Sequence, residues 1–511
     1  MWVIGTCVLA LAIAWLGHWV YRWRNPKCNG VLPPGSLGLP LIGETLQLML
    51  PGDSLDLVPF LKDRIQRYGT TFRTSVAGRA IIVSADPKFC HFVLQQHGKL
   101  FESWALDTFA KLFAQEGKAS LNVTNVHKYI RGTVLKHFGV EALKERLLPL
   151  MEEVSQATIT SWLGKESIDV KYATGTMAIE FSAKLLFSHD PTQSSKKLGD
   201  LFSSFVQGLL SIPLNIPGTI YHKCLKDRRK ALSIIRRTVK DRLSSHGRLH
   251  DDFLCHVMQD MSKEEFLTED FLVQLIFGLL FVTFDSVSTT LTLALMFLKE
   301  NPRALQEIND EHESIIKQRE ISKSPITWKE YKSMPFTLQV IHESLRLGNI
   351  SPGLFRRTKT DVEWNGYTIP AHWGVLIATS ALHLNPETYK DPLTFNPWRW
   401  KEYDSDVMLK NFMPFGSGMK QCAGAEYTRA LLSMFLHILV TKYRWTNVKK
   451  GNIRRNPILS LGDGLHIKIM DRSRNLFSPF GVISTLSVIK GSYSTPSPYK
   501  KKTSPIIRIE I

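Results

Sequence analysis

The order of apolar and polar positions divides the chain before any chemistry is considered. Trp2 to Tyr21 is an almost unbroken apolar run of about twenty residues, and a helix of that length spans roughly 30 Å, the thickness of a bilayer's hydrocarbon core. Helical spacing dominates from about residue 140 to 350. Within that stretch Phe271 to Lys299 has no proline, one glycine (Gly278) and apolar residues almost all round. That pattern predicts a helix crossing a large core, because Gln274 and Asp285 interrupt it as a membrane span. Short strand patterns occur near Thr71 to Val83 and from Val362 to Ala378, where Asn365-Gly366 predicts a tight hairpin turn. No repeat is apparent. The expectation is a mainly α body with small β-sheets, behaving as one domain.

Boundaries follow from the same pattern. Residues 2–21 read as a transmembrane signal anchor, 22–43 as a basic, Pro/Gly-rich hinge, 44–470 as the catalytic body and 471–511 as a basic Ser/Pro-rich tail. No basic side chain precedes the anchor, whereas Arg22, Arg24 and Lys27 follow it, so its C-terminal side faces the cytosol. A cleaved secretory signal is the alternative, with Ala10-Leu11-Ala12 as the cleavage site, but the basic leading region it needs is missing. The sequon Asn122-Val123-Thr124 would then be cytosolic and unmodified. Pro33-Pro34-Gly35-Ser36 and the Gly38-Leu39-Pro40 turn read as a stiff hinge that sets the body against the membrane, or as an ordinary loop. Leu209 to Ile220, apolar and broken by Pro213 and Pro217, reads either as a flap touching the bilayer or as a core turn. The tail has seven basic residues against two acidic and no amphipathic period, which predicts disorder.

Composition narrows the partners. The net charge of +18, from 64 basic and 46 acidic residues, favours an acidic protein or anionic lipid. No nucleic-acid motif accompanies it. Six scattered cysteines make neither a disulfide framework nor a zinc site, which fits a reducing compartment.

One cysteine differs from the rest. Phe415-Gly416-Ser417-Gly418-Met419-Lys420-Gln421-Cys422-Ala423-Gly424 has the spacing F-x-x-G-x-x-x-C-x-G. Glycines allow left-handed backbone and close approach to a flat group, backbone N–H groups can face the sulfur, and a helix pattern follows through Leu436. A thiolate so placed suits haem iron; a buried structural cysteine is the plainer alternative.

This loop resembles the haem-binding signature of the cytochrome P-450 family, and further motifs lie in that family's order. Glu343 and Arg346 form E-x-x-R, and Phe395-Asn396-Pro397-Trp398-Arg399-Trp400 resembles the segment whose Arg399 completes a buried triad with them. Asn385-Pro386 and Tyr389-Lys390-Asp391-Pro392 precede it, so the likeness spans roughly residues 30 to 470. It implies the P-450 fold after the anchor, haem b, and Cys422 as the iron ligand. It also implies a binding loop shaped by Phe415, Gly418 and Gly424. Haem propionates would be met by Lys420, by His127 and Arg131 in the place of a Trp-x-x-x-Arg motif, and by Arg356 or its neighbour Arg357.

Phe281-Val282-Thr283-Phe284-Asp285-Ser286 resembles the family's A-G-x-(D/E)-T motif, in which an acid and an alcohol deliver the protons that O–O cleavage requires. Asp285 and Ser286 are therefore the catalytic candidates. An acid on so apolar a helix needs a purpose or a partner. The departures are Val282 and Thr283 for small residues, Ser286 for Thr, Val287 for a second alcohol and Lys420 for Arg.

The resemblance runs closest to the plant group that oxidises sterols, triterpenoids and brassinosteroid-like substrates, on residues 33–44, Pro217-Gly218-Thr219, Pro352-Gly353-Leu354-Phe355-Arg356 and Asn396-Pro397-Trp398-Arg399-Trp400. It implies hydroxylation of a polycyclic isoprenoid with O2, with successive oxidations able to cleave a sterol side chain. NADPH electrons would arrive through cytochrome P-450 reductase, with cytochrome b5 as a further donor. Lys128, Lys136, Lys420 and Arg429 would face that acidic partner. The implied location is the endoplasmic reticulum membrane, single-pass, with the body in the cytosol. Two alternatives stand beside this: a reductase-independent haem-thiolate isomerase or dehydratase, and a haem-binding protein without turnover.

Overall fold

The computed structural model describes residues 2–105, 123–191, 197–209, 211, 214–244, 251–319, 324–456 and 458–472. The sequon, part of the apolar 209–220 segment and nearly all of the tail lie outside them. The apolar N-terminal run forms α1 (Trp2–Arg24), exposed from Ile4 to Trp19 and ending in Arg22 and Arg24. It is long and apolar enough to cross a membrane and fits a transmembrane anchor. The longer helices of the body are α2 (Pro59–Tyr68), α3 (Pro87–Gln95), α4 (Val123–Phe138), α5 (Leu148–Thr160), α6 (Val170–Phe187), α7 (Leu198–Leu209), α8 (Ile220–Ser244), α9 (Glu269–Glu300), α10 (Pro302–Lys317), α11 (Pro335–Gly348) and α12 (Ala425–Lys442).

The mainly helical expectation holds. Its centre is α9, capped by the Thr268 side chain on the Phe271 N–H, with Phe284, Val287 and Leu291–Leu298 fully inside. The neighbouring α6 lies along it, and Gly175 lets the Phe284 ring in: a Cβ there would stand 2.9 Å from the ring. The second candidate span of the chain is thus a core helix, buried over half its apolar window.

Small sheets flank the helices. β1 (Thr71–Val76), β2 (Arg79–Ser84), β3 (Phe101–Ser103), β5 (Leu354–Thr358) and β8 (Gly374–Ile377) make one sheet in the order β1-β2-β8-β5-β3, antiparallel except where β2 meets β8. β4 (Ile168–Asp169), β9 (Tyr443–Lys450) and β12 (Leu465–Asp471) make a second, and β10 (Ile453–Asn456) with β11 (Ile458–Leu461) a hairpin. β6 (Val362–Trp364) and β7 (Tyr367–Ile369) form the predicted hairpin. Asn365 (φ 46°) and Gly366 (φ 79°) both take the left-handed conformation that a two-residue turn requires.

From Cys28 onward, the segment 22–43 that was read as a hinge is fastened to this framework. The Cys28 thiol donates to the Thr368 carbonyl, the Thr368 N–H to the Val31 carbonyl at 2.7 Å, and the Arg73 N–H to the Pro34 carbonyl at 2.8 Å. The free linker shortens to Asn25–Lys27.

Candidate functional site

The cysteine loop gets its shape from two glycines and one backbone bond. Gly416 and Gly418 sit at φ 67° and 68°, where residues with a Cβ are strained, and a Cβ on Gly418 would stand 3.1 Å from the Leu94 carbonyl oxygen. Gly424 differs: its φ is −89°, and its contribution is a backbone N–H aimed at the sulfur. The Cys422 N–H donates to the Phe415 carbonyl at 2.8 Å, folding the loop back on itself. Arg429 lies over the Phe415 ring, 4.8 Å from its centroid. Cys422 is set deep in the chain, yet its side chain is uncovered. Burial raises its thiol pKa; the Gly424 N–H, Arg131 and Arg429 pull the other way and favour thiolate.

A cluster of cationic groups adjoins the loop. Arg356, on β5, is buried; its Nη1 donates only to the neighbouring Phe355 carbonyl, and its Nε has no partner. Burial lowers its pKa. Arg357 points to the other face of the strand and pairs with Glu102 at 2.6 Å. Strand alternation thus separates the two arginines between which the sequence could not choose. Lys420 is pushed down to about 8, first by burial and then by Arg356. His127 is lowered by burial, Lys420 and Arg131, and Arg131 donates to the Gln421 carbonyl. His97, in the turn before β3, is lowered to about 4 by burial, then by Arg356, Lys420 and His127, with Glu102 opposing; its Nδ1 has no partner.

Sequence reading missed His97. A single histidine in a loop carries no spacing signal, and only the fold brings it to Arg356. Among the described residues Arg356, Lys420, His97, His127 and Arg131 gather with no carboxylate except Glu102, already held by Arg357. Orphaned donors in a basic cluster whose one carboxylate is already paired, beside an open thiol, fit a flat dianionic group with a thiolate-liking metal. Haem, with two propionates and iron, has that character.

Behind the loop lies the buried triad. Glu343 accepts from Arg346 (2.7 and 2.9 Å), Arg399 Nε (3.1 Å), Trp400 Nε1 (3.1 Å) and the Asn396 N–H (3.0 Å). Arg346 also donates to the His383 carbonyl at 2.9 Å. His383 Nδ1–H donates to Asn349 Oδ1 at 2.7 Å, and its Nε2 accepts the Met413 N–H at 2.9 Å. The triad therefore reaches the chain just before Phe415 through one neutral histidine. An i, i+3 ion pair that could have lain on the surface is fully inside.

On α9 the predicted acid and alcohol part company. Ser286 Oγ donates to the Val282 carbonyl at 2.6 Å, and Thr283 Oγ1 to the Leu280 carbonyl at 2.9 Å. Val282, one turn before Ser286, is 55% exposed although its helix runs through the core, so this face borders open space. Asp285 turns to α6, where Lys171 Nζ stands 2.9 Å from Oδ1 without a directed hydrogen bond. The acid on the apolar helix thus has a partner, and it is not the alcohol beside it.

The proposed partner-facing cations separate as well. Lys128 and Lys136 are exposed on α4. Lys420 belongs to the inner cluster, and Arg429 pairs with Glu426 at 3.2 Å.

Comparison with known proteins gives a consistent result. The family model described as Cytochrome P450 matches residues 33–468. Cucurbitadienol 11-hydroxylase of Siraitia grosvenorii is 47% identical over 468 residues, 92% of this chain and 99% of its own length. Beta-amyrin 16-alpha-hydroxylase of Maesa lanceolata is 46% identical, covering 93% of this chain and 100% of itself. Cholesterol 22-monohydroxylase of Paris polyphylla is 33% identical over 90% and 98%. The solved structure of retinoic acid bound cyanobacterial CYP120A1 superposes with a TM-score of 0.74 over 87% of this chain and all of that one; at 24% identity the likeness concerns the fold.

Proposed function

The chain belongs to the cytochrome P450 family, as a monooxygenase using haem b iron and NADPH electrons delivered by a reductase, and on that premise we propose that it hydroxylates a polycyclic isoprenoid, a triterpenoid or sterol. Two relatives above 45% identity over nearly their whole length, both named as triterpenoid hydroxylases, support the substrate class. The single structural observation that carries the reading is the open Cys422 thiol beside a basic cluster whose one carboxylate, Glu102, is already paired with Arg357.

Haem, when bound, supplies the activation of O2 by which one oxygen atom enters the substrate. The chain's own residues do the rest. Cys422 offers the sulfur ligand; burial raises its thiol pKa, and the Gly424 N–H, Arg131 and Arg429 oppose that rise. Arg356, Lys420, His127, Arg131 and His97 would hold the two propionates, and Phe415 and Gly418 would keep the loop thin enough for a flat group to approach. Ser286, on the open face of α9, presents its hydroxyl to the cleft. Asp285 stands at the outer flank, paired with Lys171. Val282 borders the same open face one turn from Ser286.

Lys128 and Lys136 on α4 attract the acidic reductase, and α1 holds the protein in the endoplasmic reticulum membrane with the body in the cytosol. Two measurements test this reading. In Cys422→His the strongly red-shifted Soret band of the reduced carbon monoxide complex disappears; its survival would identify another ligand. A host carrying this chain and a reductase is fed a triterpene and sterol panel, and hydroxylated product is expected, with chain-cleaved sterol as the mark of successive oxidation. Product formed without NADPH would favour an isomerase or dehydratase, and none from any substrate a binding protein.

A further inference from the structure

On α12, downstream of Cys422, Arg429 is poorly satisfied for a partly buried cation. Its Nη1 reaches Glu426 Oε2 at 3.2 Å, and its Nε is buried without a hydrogen-bond partner among the described residues. Burying a charged group with a donor unpaired is unfavourable. The guanidinium lies over the Phe415 ring, 4.8 Å from its centroid, and so on the side of α12 that faces the cysteine loop.

The carboxylate that would neutralise it is drawn the other way. Glu426 Oε1 accepts the Tyr331 hydroxyl at 3.0 Å and Lys332 Nζ at 2.8 Å, both from the short helix Trp328–Lys332. Lys332 is seated over the Trp328 and Tyr331 rings, at 4.6 and 5.1 Å from their centroids. Burial by itself raises the Glu426 carboxyl, but Lys332, Tyr331 and Arg429 outweigh it and hold it below its ordinary value, so it is charged at neutral pH. The group thus has two cations and one anion, and the anion makes its shorter bonds away from the loop. His342, against Trp400 and Phe412, adds no charge, because burial and then Arg429 lower it to about 3.

Reduction of ferric to ferrous iron adds one negative charge to the thiolate–iron group, and a cation nearby stabilises the product more than the reactant. We propose that Arg429 sets the reduction potential of the haem iron, and that Glu426, held off by Tyr331 and Lys332, trims how much of that charge the sulfur feels. The proposal rests on Cys422 as the iron ligand. Arg429 is one of the groups that oppose the rise of the Cys422 thiol on burial, so its field reaches the sulfur. A carboxylate bonded to Arg429 alone would cancel that field; one shared with the Tyr331–Lys332 side leaves a net positive remainder.

Midpoint potentials of the full-length, haem-loaded chain in nanodiscs test this, by dithionite titration with redox mediators. Every potential is read from protein that shows the red-shifted carbon monoxide band, so the sulfur is still on the iron. Arg429→Met should move the one-electron equilibrium towards ferric iron by about tenfold, a shift of about 59 mV to more negative potential. Arg429→Lys should recover most of it, because the charge remains. Glu426→Gln should move the potential the opposite way, and the double variant should fall between the two single ones. Arg237→Met, which removes the same charge from the exposed face of α8, should leave it in place. An unchanged or more positive potential in Arg429→Met would overturn the proposal. So would an equal fall in Arg429→Lys, which would make Arg429 a packing partner of Phe415 only. If Arg429→Met fails to retain haem, Glu426→Gln decides alone: a more positive potential supports the proposal, and any other result overturns it. An unaltered chain without the red-shifted band would remove the ligand assignment itself and the proposal with it.

Discussion

Arg356 is buried without a carboxylate, and at the residue scale this makes it a cost to the chain in the absence of its ligand. An unsatisfied buried polar group costs about 1–3 kcal/mol, more when charged. Arg356→Met should therefore raise the melting temperature of the haem-free chain and at the same time speed haem loss from the loaded one. Chemical denaturation of the first and haem transfer to an acceptor globin from the second check both halves; slower unfolding with unchanged haem retention would remove the propionate role. Asp285 and Ser286 separate by a different logic. The Asp285–Lys171 pair is partly exposed, and pairs of that kind are worth at most about 1 kcal/mol. Asp285→Asn and Ser286→Ala should each keep haem content and substrate binding. Product should fall by about 10²–10⁴-fold, as for loss of a positioned proton donor, while hydrogen peroxide rises. Coupling of NADPH to product at the unaltered level in both would make Thr283 or ordered water the next candidate. A haem-depleted Asp285→Asn protein would show that the Lys171 contact is structural.

Between elements, one histidine connects α11, the triad and the cysteine loop. His383 donates to Asn349 at the end of α11 and accepts from Met413, with Arg346 on its carbonyl. Replacing it by leucine fills the space but strands a buried N–H and a buried amide oxygen, at about 1–3 kcal/mol each. His383→Leu should loosen the loop more than it unfolds the helices. The expected signs are faster amide exchange at residues 413–424 and a growing fraction of the carbon monoxide complex without the red-shifted band, at nearly unchanged helical content. Exchange unaltered in that loop would mean that the glycine conformations and the Cys422–Phe415 bond hold it unaided.

For the molecule as a whole the buried histidines set the acid limit. Burial lowers His342 and His383 to about 3 and His437 to about 4, and holds His312, 2.9 Å from His437, well below its ordinary value. Once unfolded, each takes up a proton near pH 6.5. Below that pH the unfolded chain binds protons that the folded chain refuses, so stability falls from pH 6.5 downward, until the folded-state values near 3–4 are reached. Each such histidine contributes a loss of about 1 kcal/mol per pH unit across that window. Urea midpoints should thus be flat above pH 7 and drop steeply between pH 6.5 and 5. A flat profile down to pH 5 would show that these rings are protonated inside the fold.

What the chain alone determined was local. The apolar run of α1, the buried α9, the Asn365-Gly366 turn and the spacing of the cysteine loop are each written within about thirty consecutive residues, because helix and strand periods and left-handed glycines act over that range. The E-x-x-R pair was visible as a pair, but its burial was not, since five donors converge on Glu343 from Arg346 on its own helix and from the distant stretch 396–400. Tertiary structure alone decided that Arg356 and not Arg357 turns inward, that His97 joins it, and that Asp285 leaves Ser286 for Lys171. It also fastened part of the Pro/Gly-rich segment to the body, through a bond between residues about 340 positions apart. Contacts at such separation leave no period in the sequence. They depend on which faces of distant elements pack together, and a rotation of one residue along a strand or helix is enough to send a side chain to the other side.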